Sequence, residues 1–298
     1  MKLYTSVDIE PSARQIGYGD KILLLGSCFA DNIGAKFAEH YFQATINPFG
    51  TLYNPASIAA AITNVGNSQL VEHNGLWHSM MHHGCFSHPD QATLLHSCAN
   101  SQQSLRNAMT ESTVIIVTFG TSWIYQMDGL VVANCHKLPA QRFLRTSLSV
   151  EDIHQMWLPL LSQTTNKHWI FTVSPIRHIK DGLHANQVSK AILLQAVDEL
   201  GQSYFPSYEI MMDELRDYRF YAEDMVHPSQ VAVEYIWQRF VETYMTEDTR
   251  GEMRTLHQLW QDCHHRFLHP DSEEAERFRL HVEKQMVALK ERYPWIIG

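Results

Sequence analysis

Lys21-Ile22-Leu23-Leu24-Leu25-Gly26-Ser27-Cys28-Phe29-Ala30-Asp31 begins as an apolar run and stops abruptly at a Gly-Ser pair. Beyond the stop, Phe29, Ile33 and Phe37 recur every fourth residue, the spacing of one helix face. The stretch therefore reads as a buried strand, a tight turn and a helix. In an open α/β sheet such a turn lies at the carboxyl end of a strand, where ligands bind. It sets the Ser27 hydroxyl beside a helix N-terminus, whose free N–H groups and dipole favour a developing negative charge. Ser27 is a candidate nucleophile with half of an oxyanion site around it. The plainer alternative is a helix cap, a position serine fills well.

Strands and helices alternate outward from this point. Phe42 to Ile46 reads as a second strand, broken by Asn47-Pro48-Phe49-Gly50. Asn54 then caps a helix with Pro55 at its first position, an apolar face of Ile58, Ile62 and Val65, and Gly66 at its end. Asn74-Gly75 and Asp128-Gly129 each sit between short half-apolar runs, the signature of two-residue hairpins. A weakly patterned helix is expected from about Asp90 to Met109, and Thr113 to Phe119 is the clearest strand. A helix over 149–162 has Ser149 as cap and Ile153, Trp157 and Leu161 four apart. Trp169 to Val173 gives the fourth strand, Asn186 to Leu200 a helix, Tyr208 to Met212 a short fifth strand, and Val231 to Phe240 a further helix. This order predicts one three-layer α/β/α domain over residues 1–244 with a mostly parallel five-stranded sheet. Residues 245–298 carry no strand signal. They predict a helical extension packed on the domain, with one helix around Leu256, Leu259 and Trp260 and a second starting near Asp271, with Glu274 in a capping box.

Composition narrows the function classes. With 298 residues, 45% hydrophobic and 18% charged, the chain can bury a large core. A net charge of −9 argues against a nucleic-acid partner. Five dispersed cysteines (Cys28, Cys85, Cys98, Cys135, Cys263) contain no Cys-x-x-Cys pair, which fits a reducing compartment better than a disulfide framework. No stretch has the roughly 18 apolar residues of a membrane span, and the N-terminus lacks an apolar signal core. A cytoplasmic protein with no membrane partner is expected.

A serine nucleophile needs a base and a group that orients the base. Asp224-Met225-Val226-His227-Pro228 supplies both ahead of a helix, on the strand edge where Ser27 lies. Among 18 histidines the same spacing recurs in Asp181 to His184 and Asp262 to His265, and Glu151 to His154 is close. His154 and His265 fall on expected helices, whereas His184 follows a strand and competes with His227. Cys28, at the helix N-terminus, is a second nucleophile candidate. His78, His82, His83 and His88, with Cys85 and Asp90, allow a metal reading, although no standard ligand spacing appears. Arg177 and His178, closing the fourth strand, are expected to line the pocket, where an arginine could pair with a carboxylate or phosphate or with a neighbouring acidic side chain.

Gly26-Ser27-Cys28-Phe29-Ala30 is identified as the name-giving motif of the GSCFA family, which resembles a branch of the SGNH (GDSL-type) hydrolases. The similarity runs through Asn47 to Gly50, Leu52 to Pro55, Trp77 to Asp90, Ala133 to Pro139, Phe171 to His178 and Tyr204 to Pro228, covering most of residues 20–240. It implies an SGNH/flavodoxin-like sheet, Ser27 as nucleophile, Gly50 as a backbone oxyanion donor, and Asp224 with His227 as the final block. One block departs: the family pattern puts Asn after the third strand, and Gly120-Thr121-Ser122-Trp123 puts Ser122 there. A serine is shorter, and losing one such donor costs about 10²–10³ in rate; Asn47 and His178 are possible substitutes. The leading expectation is a Ser27–His227–Asp224 hydrolase that needs no cofactor or metal and acts on a small-molecule or glycan ester, with Arg177, His178, His82 and His83 contacting substrate. A non-catalytic ligand-binding domain is the alternative, and a metal-dependent hydrolase using the histidine segment is the third.

Overall fold

The computed structural model describes residues 4–63 and 69–296. Val65 and Gly66, expected in the second helix, lie outside the described residues. In chain order the strands are β1 (Lys21–Gly26), β2 (Gln43–Ile46), β3 (Leu70–His73), β4 (Leu76–Ser79), β5 (Val114–Phe119), β6 (Trp123–Met127), β7 (Leu130–Val132), β8 (Leu144–Ser147), β9 (His168–Val173) and β10 (Ser203–Tyr204). The helices are α1 (Cys28–Glu39), α2 (Pro55–Thr63), α3 (Gln91–Glu111), α4 (Val150–Ser162), α5 (Leu183–Leu200), α6 (Ser207–Glu209), α7 (Gln230–Tyr244), α8 (Glu247–Cys263) and α9 (Glu273–Arg292).

The central sheet has five strands in the order β10-β9-β5-β1-β2, and every pairing in it is parallel. The alternation of side chains along the strands divides the core in two. Ile22, Leu24, Val114, Ile116 and Ile170 face one layer, built by α1, α7 and the C-terminal helices. Leu23, Leu25, Ile115, Val117, Trp169 and Phe171 face the other, built by α2, α4 and α5. Both faces are covered, which is why β1 and β5 read as unbroken apolar runs rather than alternating ones.

The expected caps hold the helices. Asn54 Oδ1 accepts from Ser57 N at 2.8 Å, and Ser149 forms a reciprocal capping box with Asp152. The two predicted hairpins are present, with Asn74-Gly75 and Asp128-Gly129 all at positive φ. The second hairpin gains a third strand, β8, which pairs antiparallel with β6.

The fifth strand falls elsewhere than expected. Ser203–Tyr204 pairs with Ile170 and Phe171, whereas Tyr208 to Met212 is helical, passing from α6 into a single π turn over 210–214. A five-residue apolar run has no decisive period. Here Tyr208, Ile210, Met211 and Leu215 are all buried, and Tyr208, Met211 and Leu215 recur three and four residues apart on one helix face, so packing selects the helix. Two further details differ. His265 lies beyond the end of α8, and α9 is capped by Ser272, whose hydroxyl accepts from Ala275 N, rather than by Asp271.

The C-terminal helices share the core layer of α1 and α7. Met253, Leu256, Val282, Leu289, Tyr293 and Ile296 are buried in it, Tyr293 lies against Tyr18, and Trp295 Nε1 donates to Tyr41 O at 3.1 Å.

Candidate functional site

The order of the parallel strands reverses direction at β1, which pairs with β2 on one side and β5 on the other. Ligands bind at the carboxyl ends of strands beside such a reversal. Ser27 follows β1 and Gly120 follows β5, so both stand there.

Gly26 makes the turn. Its φ is +140°, and a Cβ on it would come within 2.2 Å of Thr118 O. Only glycine closes β1 this tightly against β5. Ser27 then caps α1. Its N–H donates to Thr118 O at 3.3 Å, and its hydroxyl accepts from Phe29 N at 3.3 Å. The residue is 1% exposed. Cys28 is half-buried, and burial together with Asp31 raises its pKa, the opposite of what a thiolate nucleophile needs.

The loop from β2 wraps the same turn. Asn47 Oδ1 accepts from Gly26 N at 2.8 Å, and its Nδ2 donates to Asp31 Oδ1 at 2.6 Å. Asn47 therefore braces the Gly26-Ser27 turn with both ends of its amide. The Gly50 N–H donates to Asn47 O at 2.7 Å, and a Cβ on Gly50 would lie 2.3 Å from the Cβ of His83, which packs against it. Tyr53 O accepts from Gly120 N at 2.8 Å and Thr121 N at 3.0 Å, tying this loop to the end of β5.

Ser122 does not turn towards Ser27. It is fully buried; its hydroxyl bonds Ser147 Oγ at 2.9 Å and Ser189 Oγ at 3.1 Å, and its N–H donates to Ser189 Oγ at 2.8 Å. A short side chain in a cluster of hydroxyls satisfies itself locally.

Asp224 and His227 come together. His227 Nδ1 and Asp224 Oδ2 are 2.6 Å apart, and Asp224 Oδ1 accepts from the N–H groups of Val226 and His227 at 2.9 and 3.0 Å. These contacts, led by the His227 N–H, hold the Asp224 pKa down to about 2. The loop is closed by a Tyr221–Pro228 bridge and by Ala222 N donating to His227 O at 2.7 Å. It is pinned to the end of β9, where Arg177 N donates to Val226 O at 3.2 Å. Among the described residues, His227 and Ser27 share no hydrogen bond. The competing pair does not form: Asp181 pairs with Arg145, and His184 is exposed in the first turn of α5.

Arg177 lies over the rings of Tyr218 and Tyr221, and one of its guanidinium N–H groups reaches Met225 O at 3.3 Å. A cavity of about 260 Å³ opens beside it, floored by Met211, Met212 and Leu215. Asn186 on its wall accepts from His178 N at 2.8 Å. The His178 ring points back towards Gly120 and Ser27. Its Nε2 is 3.5 Å from the position of a Cβ on Gly120, and Ser27 Cβ is the same distance from that position. Burial, reinforced by the charge of Lys190, pulls the His178 pKa down to about 4.

His82 is a core side chain. It is 1% exposed, stacked on Phe49 at 4.3 Å, with Nδ1 on Ser79 Oγ at 2.7 Å. Its neighbours are likewise engaged: His78 of the same segment with Nδ1 on Ser87 Oγ at 2.7 Å, and His136, from the loop after β7, with Nε2 on Ser79 O at 2.8 Å. Among the described residues, no three His, Cys, Asp or Glu side chains are arranged to hold a metal ion.

One site residue was missed in the sequence. Lys190 of α5 is 1% exposed, and its Nζ donates to Gly120 O and Ser174 O, both at 2.7 Å. It joins the ends of β5 and β9 beneath the site. The signal was present: Asn186, Lys190, Leu193 and Val197 share one helix face, so the lysine lies on the apolar stripe.

The GSCFA family profile matches residues 21–240, and the chain belongs to the GSCFA family. That span runs from β1 to α7 and contains every residue described at this site. No curated protein matches the chain.

Proposed function

We propose that the protein is a serine hydrolase of the SGNH type, cleaving an ester or acyl bond of a small-molecule or glycan substrate. Ser27 Oγ attacks the carbonyl carbon, and His227 Nε2 takes the serine proton. When the tetrahedral intermediate collapses, that proton goes to the leaving oxygen. Water then attacks the acyl-enzyme by the same path in reverse. Asp224 holds the imidazole in the tautomer with Nε2 free and stabilises the imidazolium. The observation that carries this reading is the 2.6 Å contact between His227 Nδ1 and Asp224 Oδ2, on the sheet edge that also holds Ser27. Catalytic hydrogen bonds to a nucleophile often tighten only when substrate binds, so the absent Ser27–His227 bond is compatible with it.

A non-catalytic ligand-binding domain is the second reading. It is favoured by the near-complete burial of Ser27, whose hydroxyl caps α1. Labelling by a fluorophosphonate separates the two. The hydrolase reading expects labelling of the wild type that disappears in Ser27→Ala and in His227→Ala. A wild type that never labels favours the binding domain.

A further inference from the structure

The cavity beside Arg177 lies against the loop that carries the candidate base. Arg177 N donates to Val226 O and its guanidinium reaches Met225 O at 3.3 Å, so the residues between Asp224 and His227 rest on this one arginine. Tyr221, on the cavity wall, bridges to Pro228 just past His227. The floor is the π turn over 210–214, through Met211 and Met212, with the adjoining Leu215. Such turns recur at functional sites. The volume, about 260 Å³, is just under the roughly 300–1,000 Å³ of sites for drug-sized ligands, so it suits one short arm of a molecule.

The polar groups on the wall are biased towards donors. Arg177 is half-buried and its guanidinium lies 5.6 Å and 5.2 Å from the centres of the Tyr218 and Tyr221 rings. The Tyr221 hydroxyl is a further acceptor for it. A guanidinium carries more N–H donors than these contacts use, and among the described residues Arg177 has no carboxylate partner. Asn186 is 3% exposed. His178 N can only donate, so the Asn186 atom 2.8 Å from it is Oδ1, and the Nδ2 donors are turned elsewhere. Among the described residues that Nδ2 has no acceptor, and Asn186 lines the cavity. The carboxylate on the wall, Asp217, is turned to Arg219, which contacts both of its oxygens. One half-buried guanidinium and one neutral amide balance the single charge of a carboxylate better than the nearly double charge of a phosphate monoester. Arg216, exposed at the rim, adds to the attraction for an anion. We propose that this cavity holds a short apolar or aromatic arm of the ester substrate that carries a carboxylate, with Arg177 and Asn186 Nδ2 donating to it. The cavity's choice of a carboxylate stands by itself, and its part in an ester substrate rests on the hydrolase reading of Ser27.

Titration of the wild type with 3-phenylpropionate and with 3-phenylpropionamide, its neutral counterpart, followed by ligand-detected NMR, tests the inference without any turnover. The acid is expected to bind at least about tenfold tighter than the amide, the worth of a hydrogen bond to a charged group. Asn186→Asp keeps an acceptor for His178 N and sets a second negative charge against the ligand, so it is expected to remove that preference. Arg177→Gln is expected to remove it too. Thermal melts and circular dichroism identify a variant that fails to fold. Equal affinity for acid and amide in the wild type, or no binding of either, overturns the inference. So does an undiminished preference in a folded variant, and 2-phenylethyl phosphate binding tighter than the acid overturns the assignment to a carboxylate. Saturating acid is also expected to slow fluorophosphonate labelling of the wild type, and labelling unaffected by it overturns the link to the substrate. A wild type that never labels overturns the hydrolase reading while the carboxylate preference stands.

Discussion

The ammonium of Lys190 lies 2.7 Å from the carbonyl of Gly120 and 2.7 Å from that of Ser174, so one fully buried cation ties together the ends of β5 and β9. Among the described residues it has no carboxylate partner. Burial pulls its pKa from 10.5 down to about 7. Lys190→Met leaves two buried carbonyls without donors and is expected to cost about 2–4 kcal/mol of stability. The pH dependence has a definite sign. Between about pH 7 and 10.5 the unfolded chain holds the lysine proton and the folded chain has released it, so stability gains as pH rises through that window. Urea titrations at several pH values should show this gain in the wild type and its loss in Lys190→Met. Parallel curves for the two proteins would refute the assignment.

Acid should unfold the protein partly through His82. Burial, with His136 nearby, depresses its pKa from 6.5 to about 4. The unfolded chain takes up this proton below pH 6.5 and the folded chain does not until about pH 4. Stability is therefore lost as pH falls through that window, by up to about 3 kcal/mol from this residue. His82→Gln should show a shallower decline over the same range. An unchanged slope would place the acid sensitivity elsewhere.

Asp224 is solvent-exposed, so Asp224→Asn is expected to leave the melting temperature within a degree or two, as surface substitutions usually do. Its effect on fluorophosphonate labelling should be large, about 10²–10⁴-fold, because the imidazole loses the carboxylate that fixes its tautomer. Loss of labelling that only parallels loss of fold would argue for a structural role instead.

Ser122→Ala separates position in the sequence from position in space. The hydroxyl bonds Ser147 and Ser189 inside the protein, so its removal should cost about 1–2 kcal/mol. Labelling of Ser27 should be unchanged. A drop of 10²-fold in a fully folded Ser122→Ala would return the oxyanion role to this residue.

Much of the framework was readable residue by residue. The apolar run of Ile22 to Leu25, its stop at Gly26 and the four-residue spacing of Phe29, Ile33 and Phe37 determined a strand, a turn and a helix, because each reflects local sterics and burial period. Asn74-Gly75 and Asp128-Gly129 determined two hairpins for the same reason, since their turns need positive φ. Asp224 and His227 were legible as a pair because three residues and a tight loop suffice to bring them together. Tertiary structure decided the rest. Tyr208 to Met212 became a helix because burial of Tyr208, Ile210, Met211 and the following Leu215 outweighed an ambiguous local pattern. Ser122 turned inward because Ser147 and Ser189, distant in sequence, offered hydroxyl partners. The meeting of Ser27, Gly120, His178 and Lys190 comes from four separate segments that only the parallel sheet brings to one edge, and no local rule encodes such a junction.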